Sequence, residues 1–130
     1  MSAPNIVNVA TITGKIATAA LADTNLISLV LNPASSGKVF KINVVTAANV
    51  DPLLSVDVDV SYHPSTTTAV GSIVSSQGFH LVSTVSVPSD STLIILSKDT
   101  SIYMEEGTVL AARCDVANRA EFIISYEEIS

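Results

Sequence analysis

Few side chains in this sequence are spaced for chemistry, and each candidate has a plainer use. Ser35-Ser36-Gly37-Lys38 carries the Gly-Lys pair of a phosphate-binding loop. It lacks the first glycine of G-x-x-x-x-G-K-[ST], and Val39 stands where a metal-holding hydroxyl would be needed. We read it as a turn after Pro33 whose lysine opens the next strand. Asp57 and Asp59 alternate with Val56, Val58 and Val60, which puts both carboxylates on one face of a strand, roughly 7 Å apart. They could contribute to a Ca²⁺ site if a loop added oxygens. Without the dense ligand spacing of such sites, a solvated face that resists edge pairing is the stronger reading.

His63 and His80 are the only imidazoles, and neither lies in an H-E-x-x-H motif; no G-x-S-x-G is present either. Serine and threonine abound, but no pattern marks an activated nucleophile. Cys114 stands alone, which excludes a disulfide framework and a cysteine-based metal site. It shares a strand face with Leu110, Ala112 and Val116, so it reads as a buried, inert thiol. Glu105-Glu106 precede a glycine and Glu127-Glu128 lie near the end of the chain. We take both pairs as exposed charge, because acid–base work needs a geometry that these positions do not promise. No catalytic residue, cofactor or metal is expected, and the chain reads as a non-enzyme.

Composition says what these residues are mounted on. Val, Ile, Ser and Thr make up 59 of 130 residues. Branched side chains suit pleated, half-buried surfaces, and hydroxyl residues suit the solvent face and turns. The expected fold is all-β: one domain over residues 1–130, an antiparallel β-sandwich, jelly-roll-like, of about eight to ten short strands with turn signals every 8–12 residues.

Two β-like runs, Ile6 to Thr13 and Lys15 to Leu21, flank Gly14 as a hairpin or a bent edge strand. Asn25 to Leu31 is an apolar run with the length of a strand buried on both faces. In the next strand Phe40, Ile42 and Val44 share one face. Ser55 to Tyr62 follows, with Val56, Val58, Val60 and Tyr62 inward and Asp57, Asp59 and Ser61 outward. Ser65 to Gly78 reads as a long loop with a short strand at Val70 to Val74. Strands then follow at Phe79 to Val87, Thr92 to Ser97, Ile102 to Met104, Thr108 to Asp115 and Glu121 to Glu127, with Val116 to Ala120 as a hairpin connection. Gly107 supplies a positive φ in the loop that joins two of them.

Charged residues are 14% of the chain and mean hydropathy is +0.50. An average soluble domain carries roughly 25% charge, so part of this surface is expected to be covered by copies of the chain or by a partner. The net charge of −6 and six scattered Lys and Arg residues argue against nucleic acid. No apolar run approaches the roughly 20 residues of a membrane span, and no signal peptide is visible. Synthesis in a reducing cytoplasm is expected.

Three segments resemble small virion structural proteins of marine tailed phages, those of cyanophages in particular. They are MSAPNIVNVATITGK at 1–15, STVSVPSDSTLIILSKDTSIYMEEG at 83–107 and SYEEIS at 125–130. Similar sequences carry an aspartate after the loop glycine, where this chain has Thr108. The resemblance implies a particle component without enzymatic activity, located in the virion after synthesis in the host cytoplasm. The expected role is a capsid decoration (cement) protein on the outer head surface, binding the major capsid protein or other virion proteins as a homo-oligomer, with a trimer favoured. A tail, neck or fibre-associated protein is the alternative; a carbohydrate- or receptor-binding sandwich and a phage hydrolase come after it. The expected contact residues are Ser2, Pro4, Ile6 and Val7 in an N-terminal arm (1–9), and Pro52, Leu53 and Leu54 in an apolar loop.

Overall fold

A computed structural model describes residues 11–64 and 69–130. Among them are nine strands: β1 (Ile12–Ala20), β2 (Ile27–Asn32), β3 (Val39–Asn49), β4 (Val56–His63), β5 (Phe79–Val87), β6 (Thr92–Leu96), β7 (Ile102–Met104), β8 (Thr108–Cys114) and β9 (Ala120–Ile129). They form two antiparallel sheets. One runs β1-β9-β3-β6, with β7 also on β3; the other runs β2-β8-β4-β5. β6 pairs with the second half of β3 and β7 with the first half, so the two act as one edge strand broken by a 3-10 turn at Lys98–Thr100.

The pairings β1 with β9, β2 with β8, β3 with β6 and β7, and β4 with β5 describe a single long hairpin folded on itself. This is the two-sheet order of a jelly roll.

Alternation fills the space between the sheets. Ile42, Val45, Ala47, Phe122 and Ile124 come from one sheet, and Val56, Val58, Val60, Leu110, Ala112 and Cys114 from the other, all essentially sealed from solvent. Met104 enters the same core beneath the turn at Gly107, whose φ is +75°. Burial raises the Cys114 thiol above its ordinary pKa, as expected for an inert core cysteine.

Several expectations are corrected. Of the two readings at Gly14, the edge strand is the one found and the hairpin is not: Gly14 lies within β1, in continuous register with β9 at the edge of its sheet; residues 6–10 of the first expected run lie outside the described residues. Val44 does not stay with Phe40 and Ile42. A bulge between Ile42 and Val44 inserts a residue, and inward positions continue at Val45 and Ala47. Val116 to Ala120 is no hairpin either, because β8 and β9 belong to different sheets. The segment is a corner between layers, with Asn118 at a φ of +64° and its N–H on the Leu21 carbonyl.

The segment after β4 is also more than a loop. Residues 65–68 of it lie outside the described residues. Ser28 donates its backbone N–H to Ser72 and its Oγ to the Ala69 carbonyl, and Val74 donates to Leu26. Only a single bridge, Ile27 to Ile73, forms where a short strand is expected. Val74 packs with Val109 and Ala111 in a second apolar cluster on the outer face of the β2-β8-β4-β5 sheet. That covering explains why Ser61, expected to face solvent, is only 2% exposed.

Candidate partner-binding surface

Beyond β3, the chain makes an apolar loop that its own polar groups hold rigid. Asn49, which is buried, donates its Nδ2 to the carbonyls of Leu54 and Val87, and its Oδ1 accepts from the Asp51 N–H. Asp51 Oδ1 accepts the N–H groups of Leu53 (2.8 Å) and Leu54 (3.0 Å), and its Oδ2 meets Arg119 Nε at 2.9 Å. Arg119 also donates to the Ser55 carbonyl. The Leu53 and Leu54 amides, then the Arg119 charge, hold the Asp51 carboxyl below its ordinary pKa. What this clamp presents is hydrophobic: Leu53 is 83% exposed, Leu54 55% and Val50 46%. Fixing an apolar tip in place removes the ordering cost that a partner would otherwise meet on binding.

Pro52, Leu53 and Leu54 thus form one surface, but the structure does not join them to the other expected contacts. Ser2, Pro4, Ile6 and Val7 lie outside the described residues. The described chain begins at Thr11, which exchanges backbone hydrogen bonds with Ser130, next to the row Ile12-Ile129-Val39. That is the start of β3, whereas the leucine loop follows its end.

The end near Thr11 holds a different polar system. Asn32, fully buried, donates Nδ2 to the carbonyls of Lys38 and Met104 and accepts Ser36 Oγ on Oδ1. Its own carbonyl accepts the Gly107 N–H. Thr108 closes the same turn by donating Oγ1 to the Glu105 carbonyl. The Gly37 N–H, a donor that a phosphate would need, is taken by Glu106 Oε2 at 2.7 Å, and Lys38 Nζ bonds Glu128.

Glu128 departs from the expectation of exposed charge. Its side chain is 13% exposed and lies 3.0 Å from Lys38 Nζ and 3.4 Å from Lys15 Nζ. Burial alone would raise its pKa; the Lys38 hydrogen bond and charge, with Lys15, outweigh this and leave it below the ordinary 4.5. A depressed carboxyl stabilises the fold above its unfolded pKa and loses that contribution as pH falls through the folded value. Glu128→Gln is expected to cost about 1 kcal/mol at neutral pH, since both lysines are half exposed. The difference from the native chain should vanish in acid, as measured by urea unfolding between pH 3 and pH 7.

The two β4 aspartates are tied into hydrogen bonds with neighbouring segments. Asp59 accepts the Thr84 N–H on Oδ1, and its Oδ2 lies 3.7 Å from Arg113. Asp57 donates its N–H to Asp115 Oδ1 and accepts the Asp115 N–H on its carbonyl. No group of three or more His, Cys, Asp or Glu side chains converges among the described residues.

Sequence patterns missed one pair: Ser61 Oγ lies 2.8 Å from His63 Nε2, and His63 Nδ1 lies 3.0 Å from the Ser76 carbonyl. This is the geometry of a hydroxyl beside an oriented imidazole, on the floor of a polar cleft of about 360 Å³. Both residues are 2% exposed, and a Cβ on Gly78 would sit 2.3 Å from the ring. The imidazole is therefore the seat on which the 76–78 segment rests. A second unforeseen grouping is aromatic. Tyr62, Phe79 and Tyr103, half of the six Phe and Tyr residues, line a shallow cleft of about 340 Å³ with His80, Leu81 and Ile102.

Comparison with family models, with curated proteins and with solved structures gives no match. No described helix is long and apolar enough to cross a membrane.

Proposed function

We propose that this protein is a non-enzymatic structural component of a phage virion, a decoration (cement) protein that binds the outer capsid surface and stabilises the head. The observation that carries this reading is the leucine loop: two exposed apolar side chains, fixed by Asp51, Asn49 and Arg119 at one end of a rigid sandwich. Such a tip suits docking into a hydrophobic pocket of a larger assembly, where buried apolar anchors supply most of the affinity. The resemblance of the terminal and central segments supplies the particle. The net charge of −6 favours the outside of a shell over its DNA-filled interior. Jelly rolls recur in viral capsid and lectin domains, although the fold alone assigns no role.

A tail, neck or fibre position would use the same surface, and stoichiometry separates the two. A decoration protein should be present at on the order of hundreds of copies per particle, following the symmetry of the shell. Quantitative mass spectrometry of purified virions checks this, and a count of a few dozen moves the protein to the tail. The aromatic cleft favours a further reading, binding of a carbohydrate or receptor, because sugar faces stack on Tyr and Phe rings. A glycan array that stays silent for the native chain excludes it. A signal lost in Tyr103→Ala would support it.

A further inference from the structure

Among the described residues, three of the four sheet edges are blunted. β2 carries a bulge between Ser28 and Val30 and is hydrogen-bonded to the 69–74 segment. β5 has two register shifts against β4 and a left-handed residue, Thr84, at φ +53°. The β6–β7 edge is broken at Lys98–Thr100. Interruptions of this kind keep edges from pairing with other chains. β1 has none of them. Its nine residues pair with β9 in unbroken register, and no strand among the described residues covers its other side.

Which backbone groups face that free side follows from the ladder. Thr11 and Ser130 exchange both N–H···O bonds, at 3.1 and 3.0 Å, and Leu21 donates to Ala120. Hydrogen-bonded pairs alternate along an antiparallel ladder. The odd residues of β1 therefore bond β9, and Ile12, Gly14, Ile16, Thr18 and Ala20 aim their N–H and C=O groups at the open edge. A second copy of this row can pair with it antiparallel. One register uses every group on both sides: Ile16 opposite Ile16, Gly14 opposite Thr18, and Ile12 opposite Ala20.

We infer that β1 is a two-fold interface on which a second copy of this chain adds its own β1, joining the two β1-β9-β3-β6 sheets into one. The side chains agree with this register. Ile16 (67% exposed) would meet its mate at the axis, beside Ile123 (47%) on β9. Lys15, the one charge on β1, is held by Glu128 of its own chain and would face Ala17, so no like charges oppose. Isologous pairing of this kind closes at two copies, favouring a dimer over the trimer expected from the sequence. The axis turns the partners end for end and places the two leucine loops at opposite ends.

Sedimentation equilibrium of the purified full-length chain tests this. The native protein should approach twice the 13.5 kDa chain mass as concentration rises. Ile16→Pro removes an N–H that points away from β9, so it should keep the native far-UV spectrum and sediment as a monomer. Ile16→Lys leaves the backbone unchanged, puts two like charges at the axis and should also lose the dimer. Ile16→Cys should form a reducible covalent dimer, its Cα atoms falling within disulfide range. A native chain that stays monomeric at every concentration, or that forms a trimer, overturns the inference; so does a dimer that survives both Ile16→Pro and Ile16→Lys. If the native chain is monomeric, deleting residues 2–9 shows whether its own N-terminal segment occupies the edge.

Discussion

Asn32→Ala is expected to destabilise the fold by about 2–4 kcal/mol, since it strands two carbonyls that now accept from one amide. Those of Met104 and Lys38 lose their donor, and Ser36 Oγ loses its acceptor. Three connections meet at this amide: the 33–38 turn, the start of β3 and the approach to Gly107. The loss should appear as a lower denaturant midpoint with an unchanged slope. Asn32→Asp should be worse at neutral pH although it is nearly isosteric. It replaces the donating nitrogen with a charged acceptor facing two carbonyls in a site with no solvent exposure. Acid should narrow the gap between the two variants as the new carboxyl takes up a proton. A cost below about 0.5 kcal/mol for the alanine variant would mean that water replaces the amide.

The double variant Leu53→Asp, Leu54→Asp is expected to abolish attachment to particles while leaving stability within about 0.5 kcal/mol, because both side chains already face solvent. Arg119→Ala should give an intermediate result. It keeps both leucines but frees Asp51 and the Ser55 carbonyl, so the tip must be ordered at the moment of binding. Co-sedimentation of each variant with shells lacking this protein measures the effect. Undiminished attachment of the double variant would move the contact to the opposite end of the sandwich, where the chain enters at Thr11.

The sandwich was legible because two-residue periodicity is a direct imprint of the pleat. Val56, Val58 and Val60 declared the inner face of β4, and Gly107 declared its turn. Where the sequence misled, the cause was an event between segments. One extra residue after Ile42 reverses the parity of the rest of β3, and nothing in its composition announces a bulge. Val116 to Ala120 has the composition of a tight turn whether it joins strands of one sheet or of two. Ser61 and His63 lie on the polar side of β4, and only the 69–78 segment folding over that side buries them. Glu128 looks like a charge near the end of the chain until Lys15 and Lys38, about a hundred positions away in the sequence, arrive beside it. The leucine loop was visible as exposed apolar residues after a proline; the clamp that gives it rigidity depends on Arg119, far along the chain.

The nested pairing has a consequence in time. β9 lies between β1 and β3, so the first sheet has no centre until residues 120–129 have been synthesised. Its opening strand must wait, unpaired, until its partner about a hundred residues further along the chain has followed it. Contacts this distant along the chain place folding in the slow class of β proteins, on the order of milliseconds to seconds. During that interval the free edges and the isoleucines of β1 are open to neighbouring nascent chains. In the many-copy assembly proposed above, such a chain would meet its own kind before its fold has closed, and the order of synthesis and association would then set the yield.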